Sequence, residues 1–136
     1  MMILYLKCML AVAAATSLPP RVLPVIQAIE GGRVGMARAD ANGTEDLGVM
    51  QVNSLWLPAL AARAMLTEGE TRQRLINDPC FNIAAAALIL RTYLAETHGA
   101  LLPAIGDYHS HTPALNAAYL AQAEQTAARL FNTPDR

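Results

Sequence analysis

Charge and aromatic rings are scarce in this sequence. Asp, Glu, Lys and Arg make up 15% of its 136 residues, and Phe, Trp and Tyr only 5%. Formal net charge is −1, and there is no basic stripe or aromatic-interleaved Lys/Arg patch. Nucleic acid is therefore not an expected partner, because neutralising phosphates takes clustered cations. An uncharged or zwitterionic polymer such as a glycan is not excluded. Alternation of Val, Ile and aromatic residues is almost absent, whereas alanine and leucine dominate, so helices are the default reading. No Gly-rich phosphate loop follows a strand pattern, and no Ser/His/Asp set is suggested by spacing. His98, His109 and His111 are too sparse for a zinc site. The stretch Asp40 to Asp46 loosely resembles a calcium loop, but its spacing is wrong and the terminal bidentate glutamate is missing. No metal or cofactor is expected. The apolar stretch from Met1 to Ala15 is too short to span a bilayer and is interrupted by Lys7, so no integral membrane segment is expected either.

What is present is a hydrophobic fraction of 54% in one chain of domain size. That suffices for a single domain over residues 1–136 with its own core, without metal or several disulfides. The first fifteen residues allow two readings. They form the first helix, from Leu4 to Thr16, or belong to an export signal with Ala13-Ala14-Ala15 as a small-residue cleavage site. The missing early basic residue and the position of Lys7 inside the apolar run favour the helix.

Along the chain, Leu18-Pro-Pro-Arg breaks the first helix, and a second runs from about Arg21 to Glu30, stopped by Gly31-Gly32. Residues Arg33 to Asp46, rich in Gly, Asn and Asp, read as a loop or a small irregular β-hairpin, and Leu47 to Val52 alternates briefly. Ser54 opens a helix carrying Trp56, Leu57, Leu60 and Met65, with Pro58 tolerable only in its first turn. Thr67-Glu-Gly-Glu70 has capping-box spacing for a short helix towards Leu75. Asp78-Pro79 opens a long helix from Cys80 to about His98, ended by Gly99, with Ile83, Ala87, Leu90 and Leu94 on one face as the expected core. A short helix over Leu102 to Tyr108 follows, and Thr112-Pro113 repeats the cap-plus-proline signal for a last helix, Ala114 to Leu130.

Glu30 carries the chemistry. It ends an apolar helical run, Val25-Ile-Gln-Ala-Ile-Glu30, and two glycines follow. A carboxylate there faces the negative end of the macrodipole, and apolar neighbours disfavour its charged form. Both effects raise its pKa, as a carboxylic acid needs if it is to donate a proton near neutrality. A structural acid would be poorly placed at this position. The feature points to cleavage of a sugar bond, and no second carboxylate partner is obvious.

Four stretches together carry a resemblance: Ala28-Ile-Glu-Gly-Gly32; Asn42-Gly-Thr-Glu-Asp-Leu-Gly-Val-Met-Gln-Val-Asn53; Asp78-Pro-Cys-Phe-Asn-Ile83; and Ile105-Gly-Asp-Tyr-His-Ser110. In this order they resemble the lysozyme-like lytic transglycosylases, in particular the small enzymes attached to type IV and type III secretion, conjugation and type IV pilus systems. The resemblance implies an α+β, predominantly helical fold of the goose-type lysozyme and soluble lytic transglycosylase kind. It further implies peptidoglycan glycan strands as substrate and no cofactor. A monomer in the periplasm or cell envelope of a Gram-negative bacterium is expected, serving secretion, conjugation or pilus machinery.

Residue by residue, the resemblance makes Glu30 the catalytic acid and base. It places Gln51 and Asn53 facing the cleft, though each amide could instead hydrogen-bond the loop. Tyr108 matches the tyrosine whose hydroxyl orients the glutamate in relatives, with a plain core tyrosine as the alternative, and His109 beside it is a candidate substrate contact. Met50 is expected to pack beneath Glu30, Gly48 to permit close backbone approach, and Gly43, Thr44 and Asp46 to shape the turn walling the cleft. Cys8 and Cys80 occupy places where relatives carry cysteines, so a bridge between the first and the long helix is expected, with two free buried thiols as the other reading. Two departures stand out. Gly31 replaces the usual serine after the glutamate, and His109-Ser110 replaces the commoner Asn-Ala after the tyrosine.

Overall fold

A computed structural model of the chain describes residues 3–132, with helices α1 (Leu6–Thr16), α2 (Val22–Glu30), α3 (Leu57–Ala64), α4 (Glu68–Asn77), α5 (Pro79–Glu96), α6 (Leu101–His109) and α7 (Pro113–Phe131). Between α2 and α3 lie strands β1 (Ala37–Ala39), β2 (Glu45–Leu47) and β3 (Val52–Asn53), followed by a 3-10 turn over Ser54–Trp56. The fold is mostly helical with one small antiparallel sheet, as expected of the lysozyme-like class. Met1 and Met2, at the head of the apolar stretch, lie outside the described residues. Among the described residues, no helix is long and apolar enough to cross a membrane.

Local chemistry sets most of the boundaries. Thr67 and Glu70 form a reciprocal capping box, Thr67 Oγ1 accepting from Glu70 N and Glu70 Oε1 from Thr67 N, both at 3.0 Å. Asp78 caps α5 by accepting from Phe81 N, with Pro79 in the first turn, where no amide donor is needed. At the far end of α5, His98 and Gly99 both take positive φ, so the helix stops at Glu96, short of the expected His98. Thr112 does not cap α7 through its side chain; Ser110 Oγ instead accepts from Thr112 N. Met65, expected within a helix, sits past the end of α3 with left-handed φ and is almost fully exposed.

The long helix α5 is the central core element. It buries Ile83, Ala87, Leu90 and Leu94 and packs against α1, α4 and α6, while α7 covers α2 and α6. The first helix belongs to this core, with Met9 and Ala13 buried. It is tied to α5 by a disulfide between Cys8 and Cys80, whose Cα atoms are 5.5 Å apart.

The glycine-rich segment is more regular than its composition suggests. Of the loop and the hairpin expected there, the hairpin forms, β1 pairing with β2 (Ala37 opposite Leu47, Ala39 opposite Glu45), and a third strand extends it, β2 pairing with β3 (Leu47 opposite Val52). The expected alternation over Leu47 to Val52 is a tight reversal between two strands, in which Gly48 and Gln51 both take positive φ. Asn82 of α5 anchors that reversal. Fully buried, it donates through Nδ2 to the carbonyls of Leu47 and Leu75 and accepts from Met50 N through Oδ1, each at 2.8 Å.

Candidate active site

Helix α2 delivers Glu30 to the wall of a cleft. A cavity of about 440 Å³ lies between the end of α2, the sheet, the 3-10 turn, α5 and α6, and Glu30 lines it. A second, of about 260 Å³, lies towards α7 and shares Glu30, Arg38 and His109 with the first. The acid therefore stands between two open spaces.

The carboxyl group of Glu30 is half-buried, and that burial raises its pKa above the ordinary carboxylate value. The hydrogen bond from Tyr119 works in the opposite direction, the nearby charge of Asp46 raises the pKa again, and Arg38 lowers it. The net direction is upward. Tyr119 Oη donates to Glu30 Oε2 at 2.8 Å, and among the described residues Oε1 has no partner. One oxygen is held and the other is available to a ligand. Burial and the adjacent carboxylate push the Tyr119 phenol far above its usual range, so it stays a donor at every relevant pH.

The tyrosine expected to hold the acid is not the one that does. Tyr108 lines the cleft, but its hydroxyl donates to the carbonyl of Met50 at 2.9 Å and so fixes the reversal between β2 and β3. Burial, with Glu30 nearby, raises its pKa well above the usual phenol. Tyr119, a buried residue of α7, lies outside the four motif stretches. Only the packing of α7 on α2 brings it to the acid. His109 also lines the cleft, and its ring stacks on Tyr119 with centroids 4.9 Å apart and planes 5° from parallel.

The two amides differ. Gln51 is buried and lines the cavity; its Nε2 donates to the Gly48 carbonyl at 3.0 Å, and its Oε1 has no hydrogen-bond partner among the described residues. A buried acceptor of this kind suits a ligand N–H or O–H. Asn53 also lines the cavity, yet its Nδ2 faces Asp40, Thr44 and Asp46 at 3.0–3.2 Å and its Oδ1 accepts from Leu55 N. Its side chain is committed to the hairpin, which is the loop-holding alternative.

Of the turn residues, Asp46 reaches the cavity, whereas Gly43 and Thr44 form the tip joining β1 to β2. There Gly43 has φ of 86°, and Thr44 Oγ1 donates to Asn42 at 2.7 Å. Asp40 and Asp107 also line the cavity, so with Asp46 the site holds three carboxylates besides Glu30; neither Asp40 nor Asp107 was singled out from the sequence as a site residue. Burial raises the pKa of Asp46, Asn53 lowers it by donating to the carboxylate, and Asp40 raises it. Arg38 stands 3.6 Å from Asp46.

Met50 is fully buried, and its carbonyl is the one that accepts from Tyr108. A Cβ at Gly48 would run into the Leu75 carbonyl and Asn82, so the backbone approaches there as closely as expected. Gly31, in the place of the usual serine, caps α2 with φ of 66° and open space where a Cβ would project. Trp56 and Tyr93 complete the opposite wall, ring edge to ring face at 5.9 Å.

Among the described residues, Glu96, Asp107 and His111 form one group whose possible ligand atoms lie within 4.8 Å of one another. His111 Nε2 is 3.2 Å from Glu96 and 3.8 Å from Asp107 at the cleft margin, and Asn116 Nδ2 donates to Asp107. Two of the three are exposed, and the geometry is that of an ion pair when His111 is protonated.

A half-buried acid with one oxygen fixed, facing a cleft with carboxamide and aromatic walls, can protonate a leaving oxygen and later take a proton back. The transglycosylase SLT domain matches residues 7–131, from α1 to the last residue of α7. A comparison with curated proteins finds no match. A match over nearly the whole fold, from the disulfide-bearing helix to the helix that supplies Tyr119, places the chain in the transglycosylase SLT domain family of lysozyme-like lytic transglycosylases.

Proposed function

We propose that this protein is a peptidoglycan lytic transglycosylase that cleaves the β-1,4 bond between N-acetylmuramic acid and N-acetylglucosamine. The observation that carries the reading is Glu30 itself. Its carboxyl faces the cleft, burial raises its pKa, and Tyr119 holds one oxygen while the other stays open.

Glu30 donates its proton to the glycosidic oxygen as that bond breaks. The substrate's own acetamido group stabilises the cation-like centre, so no protein nucleophile is needed. The carboxylate then takes the proton of the muramic 6-hydroxyl as that oxygen closes on the anomeric carbon, which regenerates the acid and leaves a 1,6-anhydro end. Gln51 Oε1 offers an acceptor to an acetamido N–H or a sugar hydroxyl, and Trp56, Tyr93 and Tyr108 present ring faces and edges to the sugars.

A second reading has a specific observation behind it. Asp46 lies close enough to Glu30 for its charge to raise the acid's pKa, so a carboxylate stands where it could activate water for hydrolysis. The biological setting we propose is local opening of the wall in the cell envelope for a secretion, conjugation or pilus apparatus, supported by the resemblance of the four motif stretches.

Glu30→Gln tests the role of the acid. It should lower release of soluble fragments from purified peptidoglycan by ~100-fold or more, while binding to the same material is retained. No release above background by either protein would make this a glycan-binding subunit instead, and equal release by both would place the acid elsewhere.

A further inference from the structure

Beyond Trp56 the cleft continues into a groove between α3 and α5, a cavity of about 410 Å³ that shares Trp56 and Ile89 with the site of Glu30. Its floor is apolar, formed by Ala59, Leu60 and Leu88. Its two charged lining residues are arginines, Arg63 from the last turn of α3 and Arg91 from α5, and no carboxylate lines it. Both arginines are exposed, and neither has an ion pair or hydrogen bond among the described residues. They differ in this from Arg72, which is paired bidentately with Glu45, and from Arg38, which faces Asp46.

From this geometry we infer that the groove is a subsite for the acidic stem peptide of the substrate strand, with Arg63 and Arg91 receiving its carboxylates. The occupant rests on the proposed function: peptidoglycan is a glycan whose muramic residues carry short peptides with free carboxylates. A strand seated over Trp56 brings such a peptide to the mouth of the groove. An extended peptide advances ~3.3 Å per residue, so a stem of a few residues can run from the shared wall at Trp56 and Ile89 along the groove. The apolar floor fits small aliphatic side chains, and guanidinium forks fit carboxylates. Charge complementarity and continuity with the cleft single out this ligand over a neutral or basic one.

The test uses Glu30→Gln protein, so that strands are bound and not consumed. Its affinity is measured by calorimetry for soluble peptide-bearing glycan strands and for the same strands stripped of their peptides by an amidase. Peptide-bearing strands should bind roughly three- to tenfold more tightly at low salt, the sum of two exposed ion pairs, and the preference should shrink as salt screens it. Adding Arg63→Gln and Arg91→Gln should abolish the preference with little change for stripped strands. Adding Arg63→Lys and Arg91→Lys should keep most of it. Equal affinity for the two strands before the arginines are changed would overturn the proposal. So would a loss shared equally by both strands, or a preference that survives the glutamine pair. Failure of the transglycosylase reading is separate: arginine-dependent peptide preference without Glu30-dependent cleavage by the wild type refutes only the reaction, and cleavage without the preference refutes only the groove.

Discussion

Asn82→Asp replaces one amide nitrogen with an oxygen of nearly the same size, yet it should cost this fold several kcal/mol. The native amide satisfies three buried backbone groups: the carbonyls of Leu47 and Leu75, and the N–H of Met50. A carboxylate keeps only the last. Each buried carbonyl left without a donor costs ~1–3 kcal/mol, which gives ~2–6 kcal/mol for the two. Desolvation of the new charge acts in the same direction. At roughly 4 °C per kcal/mol for a domain of this size, the melting temperature should fall by ~8–24 °C. The loss should also depend on pH with a definite sign. The introduced carboxyl, buried among carbonyls, has a folded pKa above its unfolded value of about 3.9. Its ionisation therefore opposes folding. The deficit relative to wild type is smallest below about pH 4, where the protonated acid still donates to one carbonyl, and it grows as pH rises through the folded pKa. Calorimetric or circular-dichroism melts of both oxidised proteins at pH 4 and pH 7 measure it. A deficit under ~1 kcal/mol at pH 7, or one that does not shrink on acidification, would refute the reasoning.

Tyr119→Phe removes the one hydrogen bond to the Glu30 carboxyl among the described residues. That bond lowers the acid's pKa, so in the variant the alkaline limb of the pH–rate profile should move to higher pH. The maximal rate should fall ~10-fold or more as the acid loses its orientation; a profile that keeps its shape would contradict this. Glu30→Gln should make stability less dependent on pH. The raised pKa of Glu30 means that its ionisation opposes folding, so the wild type loses ground as pH rises above about 4.3 and the variant does not. Changing both Cys8 and Cys80 to alanine opens a cross-link spanning 72 residues. Chain entropy then gives a loss of ~4 kcal/mol in urea unfolding, and a midpoint unchanged by the substitution would refute that account. Gly31→Ala and Gly32→Ala should differ in kind. The first meets open space and carries only the left-handed backbone cost of ~1–2 kcal/mol. At Gly32 a Cβ would collide with the Gly48 carbonyl and lie 2.6 Å from that of Val49, so the cleft loop must shift and turnover must fall with stability.

The helices were legible because their signals are local. Thr67 with Glu70, and Asp78 with Pro79, satisfy or remove amide donors within one turn, and no distant residue alters that arithmetic. Glu30 was legible for the same reason, since its place at a helix end before two glycines is written in consecutive residues. What could not be read along the chain is pairing between distant segments. Tyr119 reaches Glu30 across 89 positions from outside every motif stretch, whereas Tyr108, inside one, meets Met50 instead. The choice between loop and hairpin stayed open, and the third strand was missed, because the strands are two or three residues long, too short for alternation to register. Asp40 and Asp46 looked like turn residues, and only the pairing of β1 with β2 turns both towards the cavity. Asn53 carried a motif signal that does not distinguish a sugar ligand from a hairpin brace. Its four hydrogen bonds assign it to the brace.

The chemistry at Glu30 is tested most directly by the sugar ends it leaves. Purified peptidoglycan would be digested with the oxidised protein, with Glu30→Gln in parallel, and the released fragments weighed by mass spectrometry. Attack by the muramic 6-hydroxyl predicts anhydro ends, lighter than hydrolysed ends by one water, formed by the wild type and not by the variant. Reducing ends would instead assign the second step to water, and fragments that form without Glu30 would contradict the account at its root.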